Sequence, residues 1–323
     1  MSRPEGNGQR VIVITGPTAT GKSALGVRLA QSINGEIVSA DSMQVYTHMD
    51  IGTAKPTSDE MGGIPHHLID CVPPWEEYSV ARYVEDASKC VDDIFRRNKQ
   101  PILVGGTGLY IDSLLAGRFF QTRGADDLRR ELEKEYDDIG GEAMLVKLHK
   151  VDNEAATKLH ANDKKRIVRA LEAFHTTGKP ISEHNAESKT LPKRYDSIKI
   201  ALMFSNRETL YSRIDHRVDA MMATGLEQEV NSLLQMNISR NCTSMQAIGY
   251  KEISDAIIEG ADISTAVEKI KTESRRYGKR QLTWLRRDSE VKWLTWESEP
   301  NLESGVKEVT TLMMSGKLFV ATI

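Results

Sequence analysis

The residues Gly16-Pro17-Thr18-Ala19-Thr20-Gly21-Lys22-Ser23 match G-x-x-x-x-G-K-[ST] at every constrained position. Such a loop works only between a strand and a helix, where backbone N–H groups wrap an anion and the helix N-terminus adds partial positive charge. The flanks agree with that requirement. Val11-Ile12-Val13-Ile14 is a continuous β-branched run, the pattern of a strand buried on both faces, and Leu25, Leu29 and Ala30 follow at helical spacing. Lys22 supplies a point charge for phosphates, Ser23 a hydroxyl for Mg²⁺, and Thr20 a further hydroxyl. The loop calls for a di- or triphosphate without choosing between them.

A strand followed by a helix recurs after the loop. Glu36 to Ser39 reads as a second strand, His67 to Cys71 as a third and Pro101 to Val104 as a fourth. Helices are predicted from Tyr78 to Asn98 and from Thr107 to Ala116. This order implies right-handed crossovers and an α/β fold: a P-loop parallel sheet with helices on both faces. Ligands of such sheets bind at the carboxyl ends of the strands, where Asp41 and Gly105-Gly106 stand. Residues 117–195 break the alternation with charged, helix-prone sequence, so an all-helical insertion is expected there. The core then falls into a first part, 1–116, and a second, 196–323. The second part opens on a strand at Ile198–Phe204. Helices follow over 206–237, 245–259 and 262–287, then a strand at Val291–Trp296.

Composition excludes several classes. Cys71, Cys90 and Cys242 are odd in number and contain no C-x-x-C pair, which gives neither a disulfide framework nor a zinc site. MSRPEGNGQR is polar, and no apolar stretch approaches the ~20 residues a membrane helix needs. A cytoplasmic enzyme without membrane attachment is expected, with a monomer as the default. The net charge of −3 decides nothing about nucleic acid, but its distribution does. In KTESRRYGKRQLTWLRRD, Lys271 to Asp288, seven basic side chains stand against two carboxylates. Lys279, Arg280 and Arg286 are candidate phosphate contacts. Gln281 lies beside them, and Tyr277 or Trp284 offers a ring to unpaired bases. Core packing is the stronger expectation for Trp284.

Two features stay open on the residues alone. Asp41, in SADSMQVY, suits a metal ligand, a cap or a base. Arg213 and Arg217 lie four apart on a predicted helix, either around a shared anion or in solvent. The strand Ile102-Leu103-Val104 ends in glycines, not in the acid that nucleotide hydrolases use for Mg²⁺. That fits a small-molecule kinase, or an enzyme for which diphosphate is the leaving group.

The blocks GPTATGKS, SADSMQVY, DIGTAKP, PHHLIDC, YSVARYVEDA, PILVGGTGLYIDSLL, KKRIVRALE, AIGYKE and KRQLTWLRR occur in this order, from about residue 10 to about residue 290. Together they resemble the bacterial tRNA dimethylallyltransferases, or tRNA isopentenyltransferases. The resemblance implies transfer of a dimethylallyl group from dimethylallyl diphosphate to the exocyclic amine of the adenosine 3′ of a tRNA anticodon. It implies Asp41 as the base, Arg217 as a diphosphate ligand beside Gly16–Ser23, and Mg²⁺ as cofactor. It also implies tRNA contacts from Asp41, Ser42, Met43, Gln44 and Thr107. Others come from Lys165, Arg166 and Arg169, from Gln246, Gly249, Tyr250 and Lys251, and from the 279–286 block. Arg129 is a possible contact to the anticodon stem, with a plain surface role as its alternative. Competing readings are an ATP-dependent kinase, a prenyltransferase acting on free adenine nucleotide, and a non-catalytic RNA-binding NTPase switch.

Overall fold

A computed structural model of the chain describes residues 10–117, 126–190 and 192–318. Two compact units divide it: residues 1–117 with 195–323, and residues 118–194. The larger unit is built on a fully parallel six-stranded sheet of β1 (Arg10–Thr15), β2 (Gly35–Ser39), β3 (His66–His67), β4 (Gln100–Val104), β5 (Asp196–Phe204) and β6 (Lys292–Trp296). Their spatial order is β3-β2-β4-β1-β5-β6. β1 lies between β4 and β5, with Ile14 paired to Val104 on one side and Ile200 on the other. Its side chains from Val11 to Thr15 are all buried, as a strand covered on both faces requires.

After β1 the chain passes through the Lys22–Ile33 helix to β2, beyond β4. The carboxyl ends of β1, β2 and β4 are then stitched together: Ala40 N–H donates to Val104 O, Gly105 N–H to Ile14 O and Thr107 N–H to Ala40 O. A side chain at Gly105 would overlap the Ala40 carbonyl, so the two strand ends approach closely only because this residue is glycine. Ile12, Leu25, Ile37, Ile102, Leu202 and Trp296 belong to the core on one side of this sheet.

Three elements differ from expectation. The third strand stops at His67, because Leu68 (φ 61°) and Asp70 (φ 55°) turn left-handed. The N–H groups of Asp70, Cys71 and Val72 donate instead to Gln44 and Val45. The helix expected over 206–237 is two, Arg207–Ala223 and Leu226–Gln235, parted by Gly225 at φ 105°. The one expected over 245–259 opens as a short 3₁₀ turn, Ser244–Gln246, and becomes α-helical only over Tyr250–Glu259. Ala247 between them is extended. The long basic helix forms as Ile263–Leu285, capped by Asp262.

The smaller unit contains the helices Asp126–Ile139, Gly141–Val151, Asn153–Ala156, Lys164–Thr177 and Ile181–Thr190. Leu132, Met144, Leu148, Ile167 and Leu171 form its core. Buried Asp152 fastens two of its helix starts, accepting from the Ala155 and Ser182 N–H groups. Among the described residues no helix is long and apolar enough to cross a membrane.

Candidate active site

The glycine-rich loop leaves β1 at Gly16 (φ 138°), where an added Cβ would lie 2.6 Å from the Leu202 carbonyl oxygen. It turns through Ala19 (φ 65°) and enters the helix at Gly21 (φ 84°). Several contacts hold this shape. The Thr20 hydroxyl donates to the Pro17 carbonyl at 2.8 Å, the Lys22 ammonium to the same oxygen at 2.6 Å, and the Trp296 indole N–H to the Thr20 carbonyl at 3.0 Å. Thr20 was expected to turn its hydroxyl on the diphosphate. It is fully buried and its hydroxyl is spent inside the loop, so its part here is to shape the backbone.

A cavity of about 1610 Å³ opens over the loop, and Thr18, Ala19, Lys22, Ser23, Asp41 and Arg217 are among the residues that line it. Burial, with a further push from Arg217, lowers the Lys22 pKa to about 7, while Asp41 pulls it up. Arg217 is also lowered by burial and supported by Asp41 and then Glu60. It forms no hydrogen bond or ion pair among the described residues. Arg213, one turn before it, is spent: it donates to the Ala19 carbonyl at 3.2 Å and pairs with Glu299. A lysine weakened by burial and by a neighbouring guanidinium on one cavity wall suits a polyanion, which would restore the full charge of Lys22.

Asp41 lies half-buried at the end of β2. Its Oδ1 accepts from the Met43 N–H at 2.8 Å and, more weakly, from the Gln44 N–H at 3.4 Å. Oδ2 has no hydrogen-bond partner among the described residues. Asp41 is therefore a turn cap through one oxygen while the other remains available. Thr107 accepts from the Ser42 N–H at 3.1 Å and is hydrogen-bonded to Tyr277, whose hydroxyl pKa is raised to about 12 by burial and then by Asp41. The Gln44 amide donates to the Thr53 and Ala54 carbonyls of the DIGTAK loop. That loop is anchored in turn by Glu229, which accepts from the Asp50, Ile51 and Gly52 N–H groups and from the Tyr250 hydroxyl.

The other candidate residues divide sharply. Ser42, Met43, Gln44, Gln246, Gly249, Arg280 and Gln281 line the cavity. Lys251, Lys279 and Arg286 are exposed. Lys271, Arg275 and Arg276 of the basic helix are taken by Asp219, Asp215 and Glu273. Lys279, Arg280 and Arg286 have no ion pair among the described residues. Arg280 lies over the Tyr277 ring, 5.5 Å from its centroid. Tyr250 is not at a surface: it is fully buried against Gly52. Trp284 donates its indole N–H to Asp112 at 3.0 Å and packs on Gly108. Gln281 is buried, its amide committed to protein backbone. In the smaller unit Lys165, Arg166 and Arg169 are exposed, Arg169 pairing with Glu172, and Arg129 pairs with Glu133.

Sequence reasoning missed Glu229 as the anchor of the DIGTAK loop, and it missed the C-terminal segment around the phosphate loop. Besides the Trp296 bond, Pro300 stands where a side chain on Gly21 would meet it at 3.2 Å, and Glu299 holds Arg213. Nothing local in WESEP signals that role.

Known proteins agree with this architecture. The family model for IPP transferase matches residues 44–288, and that for isopentenyl transferase matches residues 9–71. The tRNA dimethylallyltransferase 1 of Pelobacter propionicus is 46% identical over 287 residues, 89% of this chain and 93% of the relative. The tRNA dimethylallyltransferase of Bacillus cytotoxicus is 48% identical over 286 residues, 88% and 90% of the two chains. Among solved structures, the full-length tRNA isopentenylpyrophosphate transferase of Bacillus halodurans superposes with a TM-score of 0.72 at 38% identity, over 97% of this chain and all of that one. A eukaryotic dimethylallyltransferase caught acting on tRNA gives a TM-score of 0.82 at 30% identity, over 98% of this chain and 81% of that one. The chain belongs to the IPP transferase family, that of the tRNA dimethylallyltransferases.

Proposed function

We propose that this chain transfers the dimethylallyl group of dimethylallyl diphosphate to the N6 amine of the adenosine 3′ of the anticodon in tRNA, in the cytoplasm, releasing diphosphate. One observation carries the reading: Lys22 and Arg217 line the same cavity with no ion pair of their own among the described residues, and both feel the charge of Asp41. An anion and a proton acceptor are thereby served side by side.

The chemistry follows from those groups. The N6 nitrogen forms a bond to C1 of the prenyl group while the C1–O bond breaks, and the diphosphate leaves with the bonding pair. Loop N–H groups, Lys22 and Arg217 stabilise the charge that develops on it. The adenine amine is a poor nucleophile, its lone pair being delocalised into the ring, so Oδ2 of Asp41 takes the N6 proton as the N–C bond forms. Oδ1, tied to the Met43 N–H, keeps the carboxylate oriented.

Mg²⁺ fits the donors only as a shared ion. Ser23 offers an exposed hydroxyl on the cavity wall, and no cluster of three or more His, Cys, Asp or Glu capable of holding a metal occurs among the described residues. The ion would be held by Ser23, diphosphate oxygens and water, as Mg²⁺ commonly is, and would supply positive charge to the leaving group.

For the RNA, Lys279, Arg280 and Arg286, exposed and without an ion pair among the described residues, give a phosphate-binding face, and Lys165 and Arg166 a second one in the helical unit 118–194. Incubation with labelled dimethylallyl diphosphate and either tRNA or AMP tests the substrate. Label at one adenosine of the tRNA is expected; label in AMP alone overturns the assignment.

A further inference from the structure

We propose that Gln281 is a positioning residue of the diphosphate loop, fastening that loop to the Gly105-Gly106 turn from the helix that carries Lys279 and Arg280. The proposal rests on the reading of Gly16–Ser23 as the cradle of the leaving diphosphate.

Gln281 is 7% exposed, and both ends of its amide are committed. Oε1 accepts from the Thr18 N–H at 3.2 Å, and Nε2 donates to the Gly106 carbonyl at 3.0 Å. Only one orientation of the amide serves both partners, because the backbone N–H must meet oxygen and the carbonyl must meet NH₂. The surroundings are cut to this side chain. A Cβ on Gly106 would overlap Nε2, and a Cβ on Gly278, one turn earlier on the helix, would stand 3.7 Å from Cβ of Pro17. The helix therefore lies directly against the loop at Pro17 and Thr18.

Two consequences follow. The Thr18 N–H is engaged by Gln281 and is not offered to the anion, so the cradle is made by the remaining donors in a fixed arrangement. The neighbours of Gln281 on the helix, Lys279 and Arg280, are exposed to bind RNA. The amide thus makes the RNA-bearing helix and the anion-bearing loop one body. A displacement that needs its reacting atoms ~3–3.5 Å apart demands such a link between the seats of its two substrates.

Gln281→Met removes donor and acceptor at similar length. Gln281→Glu keeps the acceptor but donates to Gly106 only when its carboxyl is protonated. Inorganic diphosphate is titrated calorimetrically into the full-length chain and each variant. Then kcat and KM for dimethylallyl diphosphate are measured across pH, with tRNA affinity alongside. Gln281→Met is expected to weaken diphosphate binding and raise KM about tenfold, the effect of two backbone groups left unpaired, with tRNA affinity within about twofold of wild type. Gln281→Glu is expected to approach wild type at acid pH and lose activity as pH rises through its carboxyl pKa. Even if the methionine variant unfolds, that acid rescue remains a test. Unchanged diphosphate binding by Gln281→Met, a wild-type pH profile for Gln281→Glu, or a loss confined to tRNA affinity would overturn the proposal. Failure of the wild-type chain to bind diphosphate would instead overturn the functional reading beneath it.

Discussion

At Asp41, a residue of the cavity wall, the two carboxylate oxygens stand in different surroundings: Oδ1 accepts the Met43 N–H, whereas Oδ2 has no hydrogen-bond partner among the described residues. Asparagine can reproduce the first situation, because its carbonyl oxygen still accepts that N–H, but it cannot take up a proton. Asp41→Asn should therefore fold and bind tRNA as the wild type does, while single-turnover prenyl transfer slows by ~10²–10⁴-fold, the usual contribution of a general base. Transfer at the wild-type rate would remove Asp41 from that role. The sequence carried the candidate residue but not this division of labour. A carboxylate at a strand end reads equally as cap or base, and here it is a cap that keeps an oxygen in reserve. Thr20 shows the opposite case. Its place inside the motif suggests a ligand contact, and only the backbone path reveals that the hydroxyl turns back to Pro17.

Among the elements, the strands were the most legible, because β-branched runs such as Val11–Ile14 and Ile102–Val104 admit little else. Breaks in the chain were not. Leu68 and Asp70 adopt left-handed backbone without glycine, so nothing in PHHLIDC marks the end of β3. Gly225 divides a pattern that remains amphipathic on both sides. Glu36, at the amino end of β2 and so opposite the active site, was unremarkable in sequence but is 1% exposed. Arg97 grips both its oxygens at 2.5 and 2.7 Å, Lys99 adds a contact at 2.7 Å and His67 one at 2.8 Å. Arg97 foremost holds this carboxyl well below the usual range, against the opposing effect of burial. A depressed carboxyl stabilises the fold above its unfolded pKa of ~4.3, and that stability is lost as pH falls toward the folded value. Glu36→Gln should cost about 3 kcal/mol at pH 7, the low end for breaking a buried pair because the cations keep some water. The difference from wild type in urea unfolding should shrink from about pH 4 downward. A difference independent of pH would mean that packing, not charge, is what Glu36 provides.

Across the whole molecule, the site is drawn from distant parts of the chain: the loop at 16–23, Asp41, the Gly105-Gly106 turn, Arg217, Gln281 and the Trp296–Pro300 segment. Motif order made the loop, Asp41 and the Gly105-Gly106 turn legible together, while Arg217 was suggested by the family resemblance alone. The Trp296–Pro300 segment was not legible, since the closing contact of Trp296 on Thr20 requires β6 to lie at the sheet edge beside β5. Charge follows the same logic of assembly. In a chain of net charge −3, Lys279, Arg280 and Arg286 are exposed with no ion pair among the described residues, while Lys271, Arg275 and Arg276 of the same helix are neutralised by Asp219, Asp215 and Glu273. The central claim is that one cavity holds the departing diphosphate within reach of the base. It is tested most directly by a crystal structure of the protein with a non-transferring dimethylallyl diphosphate analogue. The diphosphate is expected in the Gly16–Ser23 loop, touching Lys22 and Arg217, with the prenyl C1 open toward Asp41 Oδ2; an anion bound away from the loop, or a prenyl group shielded from Asp41, would contradict the account.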